Sequence, residues 1–195
     1  MLELALAFVI ETVFNIFILS ALVRFWMQVL RAPARNPLAQ FTMALTDFAV
    51  KPLRRIVPGF FKLDIASFAV AWGAQFLLLA ILALLKGVAL ANGPVLSILL
   101  FFALVKLARL TVYIVMGAVF FQALLTWVNP YHPVAPFFEA LTRPFLKPFQ
   151  KAIPPIGGVD ITPVLVLIAC QLVLMLPVAW LEQQCVAAMA RAVLP

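Results

Sequence analysis

Charge is scarce in this sequence. Only 11% of its 195 residues are Asp, Glu, Lys or Arg, against about 25% in an ordinary soluble domain. Hydrophobic residues make up 66% of the chain. A soluble domain of this size cannot cover so much apolar surface with so few charges, so the excess must face lipid. The composition therefore excludes a free soluble globule and predicts an integral membrane protein.

Cysteine and histidine are nearly absent. Cys170 and Cys185 are the only cysteines and form no CxxC pair, which argues against a disulfide framework or a zinc site. His132 is the only histidine, so one chain cannot ligate a haem through two histidines. Phosphate-loop, zinc-protease, serine-hydrolase and dinucleotide motifs are missing as well. We therefore expect no catalytic residues, no cofactor and no metal, and a protein that is not an enzyme.

Four hydrophobic runs are long enough to cross a bilayer, which takes about 20 residues. The third run, 95–128, is interpreted as one span with an N-terminal extension, because 95–105 is too short to cross alone. The first run has no basic residues before it, so it is interpreted as a retained helix and not as a secretory signal. The predicted spans are about 4–30, 65–85, 105–128 and 164–181.

Proline marks the connections between these runs. Twelve of the 15 prolines fall in 31–64 and 129–163, where a continuous helix would lose a bond at each one. Both segments keep large apolar residues at helical spacing, with polar residues on the other faces. They predict amphipathic helices over 37–57 and 133–153, lying in the membrane interface. In a second interpretation, which is compatible with the first, their aromatic faces pack on the chain's own membrane helices.

The chain contains an internal repeat. A shift of 96 residues aligns Pro37–Leu78 with Pro133–Leu174 without a gap, and 14 of these 42 positions are identical, including Pro, Lys, Asp and Gln. The sequence therefore predicts an all-α membrane protein with four transmembrane helices in two parallel repeats, 1–90 and 91–195, each with an amphipathic interfacial helix in its Pro-rich connection. A five-span arrangement is disfavoured, because it would put the two matched connections on opposite faces of the membrane.

The basic residues predict the orientation. Nine of the 14 Lys and Arg residues lie in the two Pro-rich connections, and a tenth, Arg24, lies near the end of the run before the first connection. Because cytoplasmic loops carry an excess of Lys and Arg, we expect both connections in the cytoplasm and both termini outside. The same cations favour contact with anionic lipid head groups. Their spacing is too sparse for a nucleic-acid site, and no nucleic-acid partner is expected.

The second connection carries a distinctive motif. It contains NPYHP from Asn129, a TxPxLxP pattern from Thr142, and IPPIGGVDITP from Ile153. This segment resembles the signature of the YGGT family of small bacterial and plastid membrane proteins. The first connection matches less fully, because Phe48 replaces Pro144 and Phe61-Lys62 replaces the glycine pair. The candidate motif residues are Thr46, Pro52, Pro58, Asp64, Thr142, Pro148, Pro154, Gly157, Gly158 and Asp160.

The resemblance implies a multi-pass protein of the bacterial inner membrane without an assigned reaction. Relatives in the family are variously linked to osmotic or ion stress, to cell or plastid division, and to cytochrome assembly. These links suit a non-catalytic role in organising or assembling membrane complexes, with other membrane proteins or a second copy as partners. The alternative is a small ion channel or transporter.

Five polar residues stand out beside or within the apolar runs. Asp64 and Asp160 precede runs and suit helix N-caps, or an ion or partner site built twice. Gln75 and Gln171 lie near the bilayer centre and predict a hydrogen bond between the repeats, or a polar path. Glu11 is the sole carboxylate of the first run, and its expected partners are Lys106 or Arg109. In the channel alternative, Glu11, Gln75 and Gln171 would line the path.

Overall fold

A computed structural model describes residues 2–56, 64–90, 93–129, 131–152 and 160–193. This part of the chain is helical. The elements in chain order are α1 (Leu2–Val29), α2 (Pro37–Ile56), α3 (Ile65–Leu85), α4 (Gly93–Val128), α5 (Ala135–Ala152), α6 (Thr162–Val173), a π-helical turn (Leu174–Val178) and α7 (Ala179–Val193).

Within the described residues, four helices are long and apolar enough to cross a membrane. They are α1, α3, α4 and the continuous helix formed by α6, the π-helical turn and α7. Large apolar side chains point outward along them, as expected of surfaces that face lipid. The all-α membrane fold with two repeats is confirmed. The region 93–128 is one helix, as predicted.

The fourth membrane helix differs from the prediction. It was expected to end at Leu181 but continues to Val193. Pro177 lies within it, inside the π-helical turn. Proline removes one backbone hydrogen bond, and a π turn lets the helix pass that position without ending. As a result Glu182 belongs to the helix and not to a tail that follows it.

In each repeat a shorter helix connects the two membrane helices. These helices, α2 and α5, contain prolines near their C-terminal ends. Their large side chains are placed differently. Phe137 of α5 is only 3% exposed, whereas its repeat equivalent in α2, Phe41, is 58% exposed, and Phe48 is 74% exposed. The aromatic face of α5 thus packs on the chain's own helices, and that of α2 faces outward. The interfacial placement of both helices stays a prediction.

Three apolar clusters hold the helices together. Ile18 and Leu22 of α1 pack with Ala71 of α3 and Leu107 of α4 in the first. A second cluster joins α4 to α5 and α6. The third joins the repeats, because Met27 of α1 and Ala39 of α2 contact Phe137 of α5. Packing across the repeats therefore brings the α2 and α5 ends of the two units together.

Candidate functional site

A buried cation ties α1 to the connection that follows it. Arg24 lies near the C-terminal end of α1 and is almost completely buried. Its Nη1 donates to Thr46 Oγ1 at 2.9 Å and to Asp47 Oδ1 at 2.8 Å, both on α2. Its Nε lies 4.0 Å from Asp64 Oδ2. We call Arg24, Thr46, Asp47, Arg54 and Asp64 the first polar cluster.

Asp64 is the N-cap of α3 and the most buried carboxylate of this cluster. Only 2% of Asp64 is exposed. It accepts hydrogen bonds from the backbone N–H of Ser67 at 3.3 Å and from the Ser67 hydroxyl at 2.5 Å. It also forms an ion pair with Arg54 of α2. A carboxylate this buried is tolerated because the donors of Ser67 and the cation of Arg54 replace the water it loses. Asp64 begins α3 and pairs with Arg54 of α2, so it fixes α2 against α3.

Asp47 joins two cations at the edge of the cluster. Lys51 Nζ lies 2.7 Å from Asp47 Oδ2, one turn further along α2. The hydrogen bond from Lys51 lowers the pKa of Asp47 below its ordinary value. Arg24 lowers this pKa further, and together the two cations outweigh the opposing effect of burial. Asp47 therefore remains ionised and neutralises both neighbours.

The second repeat builds an equivalent cluster in which the carboxylate, Asp160, binds neutral donors instead of cations. Thr142 of α5 donates its hydroxyl to Gln122 of α4. Gln150 of α5 donates to Asp160 Oδ2 at 3.1 Å. Asp160 accepts from the Thr162 N–H at 2.9 Å and the Thr162 hydroxyl at 2.6 Å. Burial raises the pKa of Asp160, but hydrogen bonds from Thr162 and Gln150 outweigh it and lower the pKa.

The expected caps differ between the repeats. Asp64 is an N-cap, as predicted. For α6 the N-cap residue is Ile161, with no side-chain cap, and Asp160 lies one position earlier. Asp160 still satisfies the first N–H of α6. A Pro at 163 in place of Ser67 removes the donor that a capping carboxylate would use, because proline has no N–H.

The two clusters use equivalent positions with different charge. Arg54 and Gln150 are 96 residues apart and bind equivalent aspartates. Arg24 contacts Thr46 and Gln122 contacts the matched Thr142, at sequence separations of 22 and 20 residues. None of these four partners was predicted from the sequence. Two features of the sequence could have indicated them. Arg54 and Gln150 occupy equivalent positions of the repeat, and Arg24 is a lone arginine near the end of an apolar run.

The remaining motif residues lie apart from these bonds or outside the described structure. Pro52 and Pro148 lie in the last turns of α2 and α5 and are exposed. The predicted residues Pro58, Pro154, Gly157 and Gly158 lie outside the described residues.

A second polar region lies between α1, α3 and α4. Glu11 of α1 and Gln75 of α3 line a cavity of about 610 Å³ with Lys106 and Arg109 of α4. The expected pairing of Glu11 with these cations is wrong. Lys106 Nζ lies 3.1 Å from Glu182 Oε1, and Arg109 Nη1 lies 2.6 Å from Glu182 Oε2. Glu182 was overlooked because the fourth span was predicted to end just before it.

The predicted pairing of the two intramembrane glutamines is also absent. Gln75 is buried, whereas Gln171 is exposed on α6. Within the part of the chain that the structure describes, Gln171 does not line the cavity that holds Glu11 and Gln75. The repeat thus places equivalent amides in different surroundings, because α3 lies between α1 and α4 while α6 has an open side.

Comparison with known proteins agrees with the two-repeat architecture. A CCB3/YggT family model matches residues 4–85 and 101–181. An uncharacterized protein of Pseudomonas aeruginosa is 32% identical over 177 residues, which cover 90% of this chain and 89% of that protein. An uncharacterized protein of Vibrio alginolyticus is 31% identical over 86% of this chain and 90% of its own length.

A further relative carries the family's name. The uncharacterized protein YggT of Escherichia coli K12 is 29% identical over 84% of each chain. No solved structure matches. Because the family model covers most of both repeats, this chain is a member of the CCB3/YggT family.

Proposed function

We propose that this protein is a non-catalytic component of the bacterial inner membrane that organises or assembles membrane complexes. The observation that supports this role is that the charged side chains of the first polar cluster pair with each other and join helices. In the first polar cluster, Arg24 of α1 pairs with Asp47 of α2 and with Asp64. These charges are therefore used to hold α2 against α1. The exposed surface of α2 is left for contact with partners.

That surface combines aromatic and basic side chains. Phe41 and Phe48 are both more than half exposed, and Lys51 and Arg54 on the same helix are accessible as well. Aromatic side chains suit protein contacts and the membrane interface, while cations suit anionic head groups. The partners we propose are anionic lipids and other membrane proteins or a second copy of the chain.

Site-specific photo-crosslinking in cells tests the organising role. A photoreactive phenylalanine analogue replaces Phe41 or Phe48, and the same analogue at Phe8 is the matched control. Phe8 is also a strongly exposed phenylalanine, but it lies at the other end of α1. We expect the two α2 positions to give the same set of membrane-protein adducts, identified by mass spectrometry. Identical adducts from Phe8, or lipid adducts alone at all three positions, would contradict the proposal.

Cysteine labelling tests the proposed orientation, with α2 and α5 in the cytoplasm. Both native cysteines are first replaced by Ala. Lys51→Cys then marks α2, and Lys86→Cys marks the turn after α3. In spheroplasts, a membrane-impermeant maleimide is expected to label the Lys86 variant only. Labelling of the Lys51 variant would reverse the orientation.

A small ion channel or transporter is the second candidate. The observation that favours it is the cavity of Glu11, Gln75, Lys106 and Arg109 within the membrane helices, because polar groups at membrane depth often mark ion paths. Ion flux is measured in liposomes that contain the purified protein. Flux that Glu11→Gln and Gln75→Leu abolish, but the control Gln171→Leu does not, would replace the organising role with conduction.

A further inference from the structure

A polar groove lies between α4 and α5 in the second repeat. Its volume is about 380 Å³. The polar residues that line it are Gln122, Thr126, Glu139, Arg143, Lys147 and Gln150. This groove adjoins the polar cluster of the second repeat, in which Gln122 binds Thr142 and Gln150 binds Asp160, since Gln122 and Gln150 belong to both.

Comparison with the first repeat shows that the groove lacks the carboxylate equivalent to Asp47. At the 96-residue offset, Arg143 takes the position of Asp47, and Lys147 takes the position of Lys51. In the first repeat Asp47 neutralises Arg24 and Lys51. In the second, a basic residue stands where that carboxylate would be. The internal counter-charge of the first repeat is therefore replaced by a second cation on α5.

Among the described residues, Arg143 and Lys147 have few possible counter-charges. Across the ranges that the structure describes, no ion pair within 4.0 Å includes Arg143 or Lys147. Glu139, one turn before Arg143, is the carboxylate that lines the groove. Two cations and one carboxylate leave the groove with an excess of positive charge.

The neutral groups of the groove supply hydrogen-bond donors. Gln122 lines the groove, and because its Oε1 accepts the Thr142 hydroxyl, its NH₂ group is the remaining polar group of that side chain. The guanidinium of Arg143 offers paired donors that match a phosphate, and Lys147 offers a point charge. We propose that this groove binds the phosphate of an anionic phospholipid head group.

The position of the groove favours a lipid as the source of the phosphate. Trp127, the residue that follows Thr126 of the groove, is 73% exposed at the end of membrane helix α4. Exposed tryptophans at the ends of membrane helices are typical of the level of the head groups. The inference deepens the proposed lipid contact by assigning one site to it, and it does not depend on the organising role.

Native mass spectrometry of the full chain in detergent tests the site. Phosphatidylglycerol is the anionic probe, phosphatidylcholine the zwitterionic one, and inorganic phosphate the soluble competitor. We expect one tightly retained phosphatidylglycerol, bound at least about tenfold more weakly by Arg143→Asp, the loss expected for a single charge-assisted contact. Arg55→Asp, the same charge change on an exposed residue of α2, is expected to keep wild-type binding.

A double variant separates loss of the lipid site from misfolding of the protein. Gln122→Arg combined with Arg143→Asp recreates the charge pattern of the first repeat, so it supplies the counter-ion internally. It is expected to unfold at the wild-type temperature and still lose the lipid. Displacement of the lipid by inorganic phosphate would support the phosphate chemistry, whereas binding of inorganic phosphate without retention of phosphatidylglycerol would assign the source of the phosphate to solution and overturn the lipid assignment.

Three outcomes would overturn the site. They are wild-type affinity in Arg143→Asp, equal retention of phosphatidylcholine, and equal weakening by Arg55→Asp, which would indicate attraction by net charge alone. None of them bears on the crosslinks from α2, so failure of this site and failure of the organising role remain distinguishable.

Discussion

Arg24 Nη1 lies 2.8 Å from Asp47 Oδ1, so a buried cation of the first membrane helix is neutralised by the helix that follows it. The same nitrogen donates to Thr46. Each bond links α1 to α2, two elements that are separated by a turn. The first polar cluster therefore ties α2 to the C-terminal end of α1.

Replacement of Arg24 is expected to destabilise the protein. Arg24→Leu keeps an apolar stem but leaves Asp47 and Asp64 with fewer partners, and loss of one member of a buried pair costs about 3 kcal/mol. Chemical unfolding in detergent micelles, followed by tryptophan fluorescence, measures this change. The control Arg55→Leu alters an exposed residue of α2 and should cost less than about 0.5 kcal/mol. Equal effects of both variants would mean that the buried bonds add no stability.

Stability is expected to fall in acid through Asp47. Its pKa in the folded protein lies below the ordinary value of 3.8, through Lys51 first and then Arg24. The contribution of Asp47 to stability is therefore complete above the unfolded pKa and is lost as pH falls through the lowered folded pKa. Asp47→Asn should be less stable than wild type at neutral pH, and the difference should shrink in acid. Parallel stability curves for the two proteins would contradict this.

The matched threonines are expected to contribute similar stability. Thr46 and Thr142 are fully buried, and each hydroxyl bonds a side chain of a membrane helix. Thr→Val at either position keeps the shape but leaves that partner with one bond fewer, at a cost of about 1 to 2 kcal/mol. Thr126→Val is the control, because Thr126 is exposed and, among the described residues, its hydroxyl donates to the carbonyl of Gln122 on its own helix. A silent change at both buried positions would exclude a role for these bonds.

Glu182 is expected to matter more for folding than Glu11. Glu182→Gln removes the counter-charge of both Lys106 and Arg109, which are partly buried, and we expect a loss of about 2 kcal/mol. Glu11→Gln changes an exposed residue, and we expect less than about 1 kcal/mol. Thermal unfolding in detergent compares the two variants. The reverse order would restore Glu11 as the structural partner of these cations.

The 96-residue repeat predicted much of the fold. Hydrophobic runs longer than a bilayer is thick, separated by proline-rich connections, allow few arrangements other than membrane helices with short helices between them. The identity of Thr46 with Thr142 and of Asp64 with Asp160 also indicated matched sites. These inferences depend on local composition and on backbone hydrogen bonding, which a single sequence records directly.

The partners of the polar residues required the folded chain. Arg24 and Thr46 lie 22 residues apart, and Arg109 and Glu182 lie 73 apart, so no local pattern links them. Glu11 was a reasonable partner for Arg109 by charge, but α4 presents Arg109 to the last membrane helix. Likewise, the exposure of Phe41 and the burial of Phe137 could not follow from identical residues at matched positions.

The sequence by itself determined that this protein is helical, crosses a membrane and is built twice, because each property arises from hydrophobicity, proline placement and repetition along the chain. Only the tertiary structure decided which charges neutralise each other and which repeat keeps an open polar groove. Those outcomes depend on the packing of α4 against α5 and α7, and side chains far apart in sequence meet only after that packing has formed.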